Sequence, residues 1–428
     1  MLPKAHTLPL TFLDSFFTSV SAVCVTGLVV VNTATAFTPL GKIIIICLIQ
    51  IGGLGIMTFT GFFSFIFTSG SSFRDRLLLK EIFSSQSLEN LFKLLTKIIS
   101  WTFLTEIAGA ILIYSSLDQD SSNKVFFSLF HAVSAFCNAG FSTLSDGLFS
   151  AGIRHNYSVQ IIVALLIILG GIGFPVLLNG YSYFKHLIIV LIRKVQMKRI
   201  PVIHTQRNIS GRIALFMTFF LILAGTGLYY LFESGNSLSE MGNSQKFMVS
   251  FFGSVSARTA GFNITDISLW GYPTAFLMIF LMWIGASPGS TGGGIKTTTF
   301  AIAFRSAYNN IKGRQHLVIG NREIGSNTII RVLSIIFLSL LIIGAGFFCL
   351  LLTEPGEIPV HLLFESVSAF STVGLSLADT SSFSQAGKIV VILLMFIGRV
   401  GPLTLLTGLL VSYHKEYSRY PEIDIIIN

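Results

Sequence analysis

Four short stretches carry the residue types that could hold a dehydrated cation. They are Val23-Cys24-Val25-Thr26-Gly27-Leu28, Ala135-Phe136-Cys137-Asn138-Ala139-Gly140-Phe141, Ser256-Ala257-Arg258-Thr259-Ala260-Gly261-Phe262 and Ala369-Phe370-Ser371-Thr372-Val373-Gly374-Leu375. Each ends in glycine followed by Leu or Phe, each follows an aromatic-rich run too short to cross a bilayer, and each precedes a long apolar segment. The glycines at 27, 140, 261 and 374 lie 113, 121 and 113 residues apart, an internal fourfold repeat. Glycine lets the backbone take dihedral angles closed to other residues and approach a ligand closely. Four such loops around one axis would present rings of backbone carbonyls in place of an ion's hydration shell. The candidate ion-binding residues are therefore Thr26, Gly27, Asn138, Ala139, Gly140, Thr259, Ala260, Gly261, Thr372, Val373 and Gly374. A single glycine of this kind is more often a turn or helix-packing residue, but four copies at matched places fit that reading poorly.

The segments that must position these loops are apolar. Of 428 residues, 52% are hydrophobic and 11% charged, and the mean hydropathy is +0.77. A soluble chain of this length could not enclose so much apolar surface, so a polytopic membrane protein is expected. The net charge of +9 is not gathered into a basic domain; it falls in gaps between apolar segments, which suits inner-face loops and excludes a nucleic-acid partner. Cys24, Cys47, Cys137 and Cys349 show no pairing pattern and read as small apolar fillers. No cleavable signal peptide is evident. The eight histidines lack metal-ligand spacing, and no paired carboxylates or nucleophile motif lies within a span, so an enzyme is not expected.

Long apolar segments cover residues 41–67, 94–117, 159–178, 213–232, 274–304, 332–352 and 389–411, with short runs at 10–22, 126–136, 247–255 and 362–370. The linkers at 69–91, 185–212 and 305–331 and the tail are rich in Lys and Arg, whereas connections inside units carry Asp118, Asp120, Glu233, Glu240, Glu354 and Glu357. The positive-inside rule then makes linkers and C-terminus cytoplasmic and the short runs re-entrant from outside. The expected fold is all-α: four parallel helix–re-entrant pore loop–helix repeats around a central pore. Their bounds are 1–68, 69–184, 185–304 and 305–428, and the first repeat lacks its leading spanning helix.

The third unit's last segment is interrupted by Gly285-Ala286-Ser287-Pro288-Gly289-Ser290-Thr291-Gly292-Gly293-Gly294-Ile295-Lys296. So many glycines with a proline cannot stay helical. The stretch is no phosphate-binding loop, because Ile295 separates Gly294 from Lys296 where that motif needs glycine and lysine adjacent. It reads as a flexible break below the loops, suited to a gate. Arg399, inside the last span, costs about 2.5–3.5 kcal/mol at a helix centre and so marks function; snorkelling to the interface is the bland alternative. Its counterparts are Gly53 and Gly171. Arg258 reads as structural, paired with an acid such as Glu365 or Asp14; the alternative role for those two acids is to attract cations to the mouth.

These residues together resemble the Trk/Ktr/HKT superfamily of potassium transporters, most of all its bacterial Ktr-type membrane subunit. The resemblance runs over essentially the whole chain, carried by the four stretches, the Arg258–Phe262 run and the interruption. It implies potassium selectivity from Gly27, Gly140, Gly261 and Gly374, since family members favouring sodium often carry serine in the first repeat. It implies an intramembrane gating loop holding Gly285, Gly289, Ser290, Thr291, Gly292, Gly293, Gly294 and Lys296, with Arg399 beside it in the pore. It further implies a homodimer in the cell membrane, served by a cytosolic, ring-forming, nucleotide-binding regulatory subunit on the basic linkers and tail. This chain itself needs no cofactor; potassium is the cargo and sodium a candidate coupled ion. With no ATP-binding domain, uptake would run on coupled ions or on the membrane potential, worth about 2.3 kcal/mol per charge per 100 mV. The alternative is an alternating-access carrier for another cation or small solute, but such carriers break paired helices at one site rather than repeating four loops.

Overall fold

The computed structural model describes residues 3–7, 9–55, 88–117, 123–180, 190, 209–314, 316–320 and 322–401. Among the described residues the structure is mainly helical, and the strands are β1 (Val318–Ile319) and β2 (Arg322–Glu323), paired antiparallel. Its first unit holds α1 (Phe12–Cys24) and α2 (Pro39–Leu54). The second holds α3 (Leu88–Ser116), α4 (Lys124–Phe136), α5 (Tyr157–Ile172) and α6 (Phe174–Gly180). The third holds α7 (Ile209–Glu233), α8 (Asn243–Ser256), α9 (Tyr272–Trp283) and α10 (Thr297–Ile311). The fourth holds α11 (Ser326–Thr353), α12 (Pro359–Phe370) and α13 (Gln385–Val400).

Local chemistry sets the boundaries. Thr11 caps α1 by accepting from Asp14 N, Thr38 and Pro39 open α2, and Asn156 caps α5 through Val159 N. The acids that end two long helices fasten the starts of others. Glu233 accepts from Gly271 N at 3.0 Å before α9, and Glu354 accepts from Ser384 N at 2.9 Å before α13.

Among the described residues, 95–116 of α3, α7 and α11 are long and apolar enough to cross a bilayer. Their outward faces stay apolar: Phe216 and Phe219 are 67% and 68% exposed, and Phe337 is 66% exposed. Such a surface belongs against lipid, and the chain is a multi-pass membrane protein. The four short helices, at 12 to 14 residues, fall below the roughly 20 needed to span. Each sinks at least one phenylalanine completely: Phe17 in α1, Phe130 and Phe136 in α4, Phe252 in α8, and Phe364 and Phe370 in α12.

The units close in chain order. Helix α2 packs on α4, α5 on α8, α9 on α12, and α13 returns to α1. In every unit the helix that follows the short helix therefore braces the short helix of the next unit.

Two expectations need correction. The segment 159–178 is not one straight span: it breaks at Gly173 with a bend of 102°. Nor is the interruption peculiar to the third unit, because α2 and α13 also stop at glycines of positive φ, Gly55 and Gly401. A glycine in that conformation ends a helix without the Cβ penalty other residues meet. Helix α10 continues through the expected 304/305 boundary to Ile311. The boundaries near 68 and 184, Asp118, Asp120, and residues 56–87, 191–208 and 402–428 with their basic groups lie outside the described residues.

Candidate functional site

Each short helix delivers the chain into the same turn. One non-glycine residue takes left-handed φ, and two residues later a glycine does so again. The pairs are Val25 and Gly27, Asn138 and Gly140, Thr259 and Gly261, Thr372 and Gly374, with the first members at φ 56°, 59°, 72° and 51°. Val25 and the two threonines are β-branched, and holding such residues there costs about 1–3 kcal/mol each. Strain of this kind persists only where surrounding structure enforces it.

Serines near the ends of the short helices do the enforcing. Ser21 Oγ donates to Leu28 O at 2.7 Å and accepts from Gly27 N at 3.1 Å. Ser134 Oγ donates to Phe141 O at 2.8 Å, and Ser368 Oγ accepts from Gly374 N at 3.1 Å. In the third unit Ser256 Oγ donates to Phe262 O. The serine stands six residues before the glycine in units one, two and four but five before it in unit three. That spacing was a readable signal, and neither these serines nor Val25 was among the expected site residues.

The four glycines form a closed ring. A methyl group built on Gly27 would lie 3.1 Å from Gly140 Cα, and the same construction gives 3.3 Å from Gly140 to Gly261, 3.1 Å from Gly261 to Gly374 and 3.0 Å from Gly374 to Gly27. Each such methyl would also overlap a carbonyl oxygen of the neighbouring unit: Ala139, Ala260, Val373 and Thr26 in turn. Backbone packs on backbone here, and no side chain larger than hydrogen fits. One side of the ring opens to a cavity of about 550 Å³, lined by the four glycines and by Asn32, Asp146, Asp266 and Asp379. Asp266 and Asp379 are fixed by accepting from Ser268 N and Ser381 N at 3.0 and 3.1 Å. Their carboxylates make the mouth favourable to cations.

The opposite side is filled by residues 284–296, which join α9 to α10. The segment touches units two, three and four. Ser287 N donates to Gly171 O at 3.0 Å, and Thr291 N to Gly170 O at 3.3 Å. Thr291 Oγ1 donates to Phe136 O at 3.3 Å, and Gly293 N to Thr372 Oγ1 at 3.0 Å. Gly292 lies against Thr259 Oγ1 and Gly293 against Thr372 Oγ1, with no space for a Cβ at either. Gly285 packs on Gly293 O, while Gly289 and Gly294 take φ 68° and 67°. Ser290 Oγ donates to Ser287 O at 2.5 Å, and Lys296 Nζ to Gly292 O at 2.6 Å.

Arg399 completes the closure. Its guanidinium donates to Thr291 O in the segment and to Gly52 O in the first unit. The expected counterparts do other work: Gly53 abuts Cys137 Sγ, and Gly171 accepts the bond from Ser287. The glycines one residue earlier recur structurally. A Cβ on Gly52, Gly170 or Gly398 would overlap the carbonyl of Val23, Phe136 or Phe370, at the foot of each short helix.

Arg258 pairs with neither expected acid. It donates to Thr218 O at 3.4 Å. Glu365 accepts instead from Ser376 Oγ at 2.7 Å and Thr380 Oγ1 at 2.6 Å, and Asp14 pairs with Lys388 at 2.9 Å. Arg258 follows the last turn of α8 whereas Asp14 opens α1. Short helices running the same way put those positions about a helix length apart in depth. Sequence reading also missed Glu106, a buried carboxylate of α3 that accepts from Gln50 Nε2 at 3.2 Å and stands 3.6 Å from Cys137 Sγ. No metal-binding group of His, Cys, Asp and Glu occurs among the described residues.

The sequence profile of the TrkH family, described as cation transport protein, matches residues 1–416. The chain is 36% identical to "Ktr system potassium uptake protein B" of Vibrio alginolyticus, over 99% of this chain and 90% of that protein. It is 34% identical to "Potassium/sodium uptake protein NtpJ" of Enterococcus hirae, over 97% and 90%. The crystal structure of the potassium transporter TrkH from Vibrio parahaemolyticus has the same fold, with a TM-score of 0.69 at 19% identity over 94% of this chain and 79% of that one.

Proposed function

The chain belongs to the TrkH family of cation transport proteins, and from that premise we propose how it takes up potassium: through a filter made by its four matched loops. The observation that carries this reading is the closed ring of Gly27, Gly140, Gly261 and Gly374, in which backbone meets backbone and nothing larger than glycine fits. Carbonyls of Thr26, Ala139, Ala260 and Val373 lie at the ring and replace the water around an incoming ion. The mouth with Asp146, Asp266 and Asp379 faces outward and concentrates cations ahead of the filter.

Residues 284–296 with Arg399 form the gate. The segment engages units two and four by hydrogen bonds, and Arg399 ties it to the first unit. The guanidinium also sets a positive charge in the path just inside the filter, which opposes a cation while the gate is shut. Linkers and C-terminus face the cytoplasm, two copies form a dimer, and a cytosolic ring-forming subunit that binds nucleotide governs the gate. Sodium is the candidate coupled ion.

The test is growth of potassium-uptake-deficient cells at low potassium, with the regulatory subunit supplied, comparing wild type with Gly261→Ser. Rescue by wild type and loss of preference for potassium over sodium in the variant support the reading. Failure of a membrane-inserted wild type to rescue overturns it.

A further inference from the structure

The foot of the ring is not fourfold symmetric. The left-handed residues two places before each glycine are Val25, Asn138, Thr259 and Thr372. Only units three and four carry a hydroxyl there, and these are the hydroxyls against which the segment 284–296 is seated. Gly293 N donates to Thr372 Oγ1 at 3.0 Å. Gly292 abuts Thr259 Oγ1, which shares a 3.2 Å hydrogen bond with the Asn138 amide. On the side where the foot offers only Val25, the segment is held differently, by Arg399 reaching Gly52 O.

The contact leaves no room. A methyl on Gly293 would stand 2.9 Å from Thr372 Cγ2 and overlap the hydroxyl, and one on Gly292 would stand 2.9 Å from Thr259 Cβ. Gly293 N stands in direct hydrogen-bond contact with Thr372 Oγ1 at 3.0 Å, so no potassium ion fits between the two. On the side that the segment fills, each hydroxyl therefore meets either the segment or a cation.

Resting on the filter and gate described above, we propose that Thr259 and Thr372 are the docking residues of the gate, and that its release completes an inner cation site on the same two hydroxyls. Opening and formation of the last binding site are then one event. An ion arriving at the foot of the filter competes directly with the segment for Thr372 Oγ1. Glycine at 292 and 293 answers the threonines across from them, and flexibility alone does not explain those positions.

The test uses the full chain in proteoliposomes, with potassium influx and potassium-over-sodium preference measured for wild type, Thr372→Val, Thr372→Ser, Gly293→Ala and the double variant Thr372→Val/Gly293→Ala. Valine keeps the shape of threonine and removes the acceptor, so basal influx rises on the order of fivefold, the loss of one ordinary hydrogen bond. Serine keeps the acceptor, so its influx rises less than that of valine. Gly293→Ala raises influx through steric exclusion, and the double variant goes no further than the larger single effect. Preference for potassium persists in Thr372→Val, because the glycine ring is intact. A fall in influx or preference with Thr372→Val makes Thr372 a standing filter ligand and overturns the proposal. So do independent, multiplying effects of the two substitutions. Should Gly293→Ala fail to insert, the valine and serine variants decide alone. Absence of potassium flux in every protein, wild type included, would instead refute the transport pathway on which the proposal stands.

Discussion

Lys388 Nζ lies 2.9 Å from the Asp14 carboxylate, joining residues 374 positions apart in the chain. Asp14 opens the first short helix and Lys388 belongs to the first turn of the last helix. The pair therefore seals the seam between units four and one at one depth, and Arg399 to Gly52 seals it at another.

That pair is only 14% and 16% exposed, so it lies between surface pairs worth little and buried pairs whose rupture costs 3–5 kcal/mol. Lys388→Met should destabilise the protein by about 2 kcal/mol through the stranded Asp14 carboxylate. Thermal unfolding in detergent measures it. Adding Asp14→Asn should recover most of the loss; no recovery in the double variant means the two residues are not coupled.

Alanine at the four ring glycines should do graded damage. A new Cβ on Gly140 meets its closest atom, Ala260 O, at 2.8 Å, a milder overlap than at Gly27, Gly261 or Gly374. Every substitution also forces left-handed φ on a residue with a Cβ, about 1–2 kcal/mol. Potassium uptake in competition with sodium should be best preserved in Gly140→Ala. Equal loss at all four positions contradicts the geometry.

Arg399→Ala removes both bonds that hold the segment to the first unit, together with the charge in the path. Influx through the unregulated protein should rise by about tenfold, since bonds from a charged donor contribute about 1.5–3 kcal/mol. Arg399→Gln, which keeps one donor, should fall between. Unchanged uptake kinetics in a quantitative flux assay would remove Arg399 from the gate.

Ser134→Ala strips the bond to Phe141 O and leaves a buried carbonyl unpaired, a penalty of about 1–3 kcal/mol. The second loop should relax and discriminate less well between potassium and sodium, by about fivefold or more. Ser134→Thr, which keeps the hydroxyl, should retain part of the preference. Competition uptake at fixed potassium and rising sodium reads both.

The four glycines, their intervals and the short runs before them were legible because spacing and apolar length are written directly in the chain. The break in the third unit was legible for the same reason. The matching stops at Gly55, Gly173 and Gly401 were not, because one glycine within an apolar run permits a helix to continue or to end. Which it does depends on what lies across from it; a Cβ on Gly173 would crowd Pro288 O at 2.6 Å, a contact from another unit. The partners of Arg258 and Asp14 were misjudged because charge identifies who can pair but not at what depth each side chain sits. The foot residue Val25 escaped notice because it shares no chemistry with Asn138, Thr259 or Thr372, only their backbone conformation.

The cyclic packing in which α13 returns to α1 sets an order of events during synthesis. Helix α1 leaves the ribosome well before α13, which follows roughly 360 residues later, on the order of tens of seconds at translation rates of about 5–20 residues per second. Through that interval Asp14 has no Lys388 and Gly52 O has no Arg399. The ring cannot be assembled unit by unit; it closes once, when α13 arrives. A chain released before that point carries nearly every part of the conduit and none of its closure.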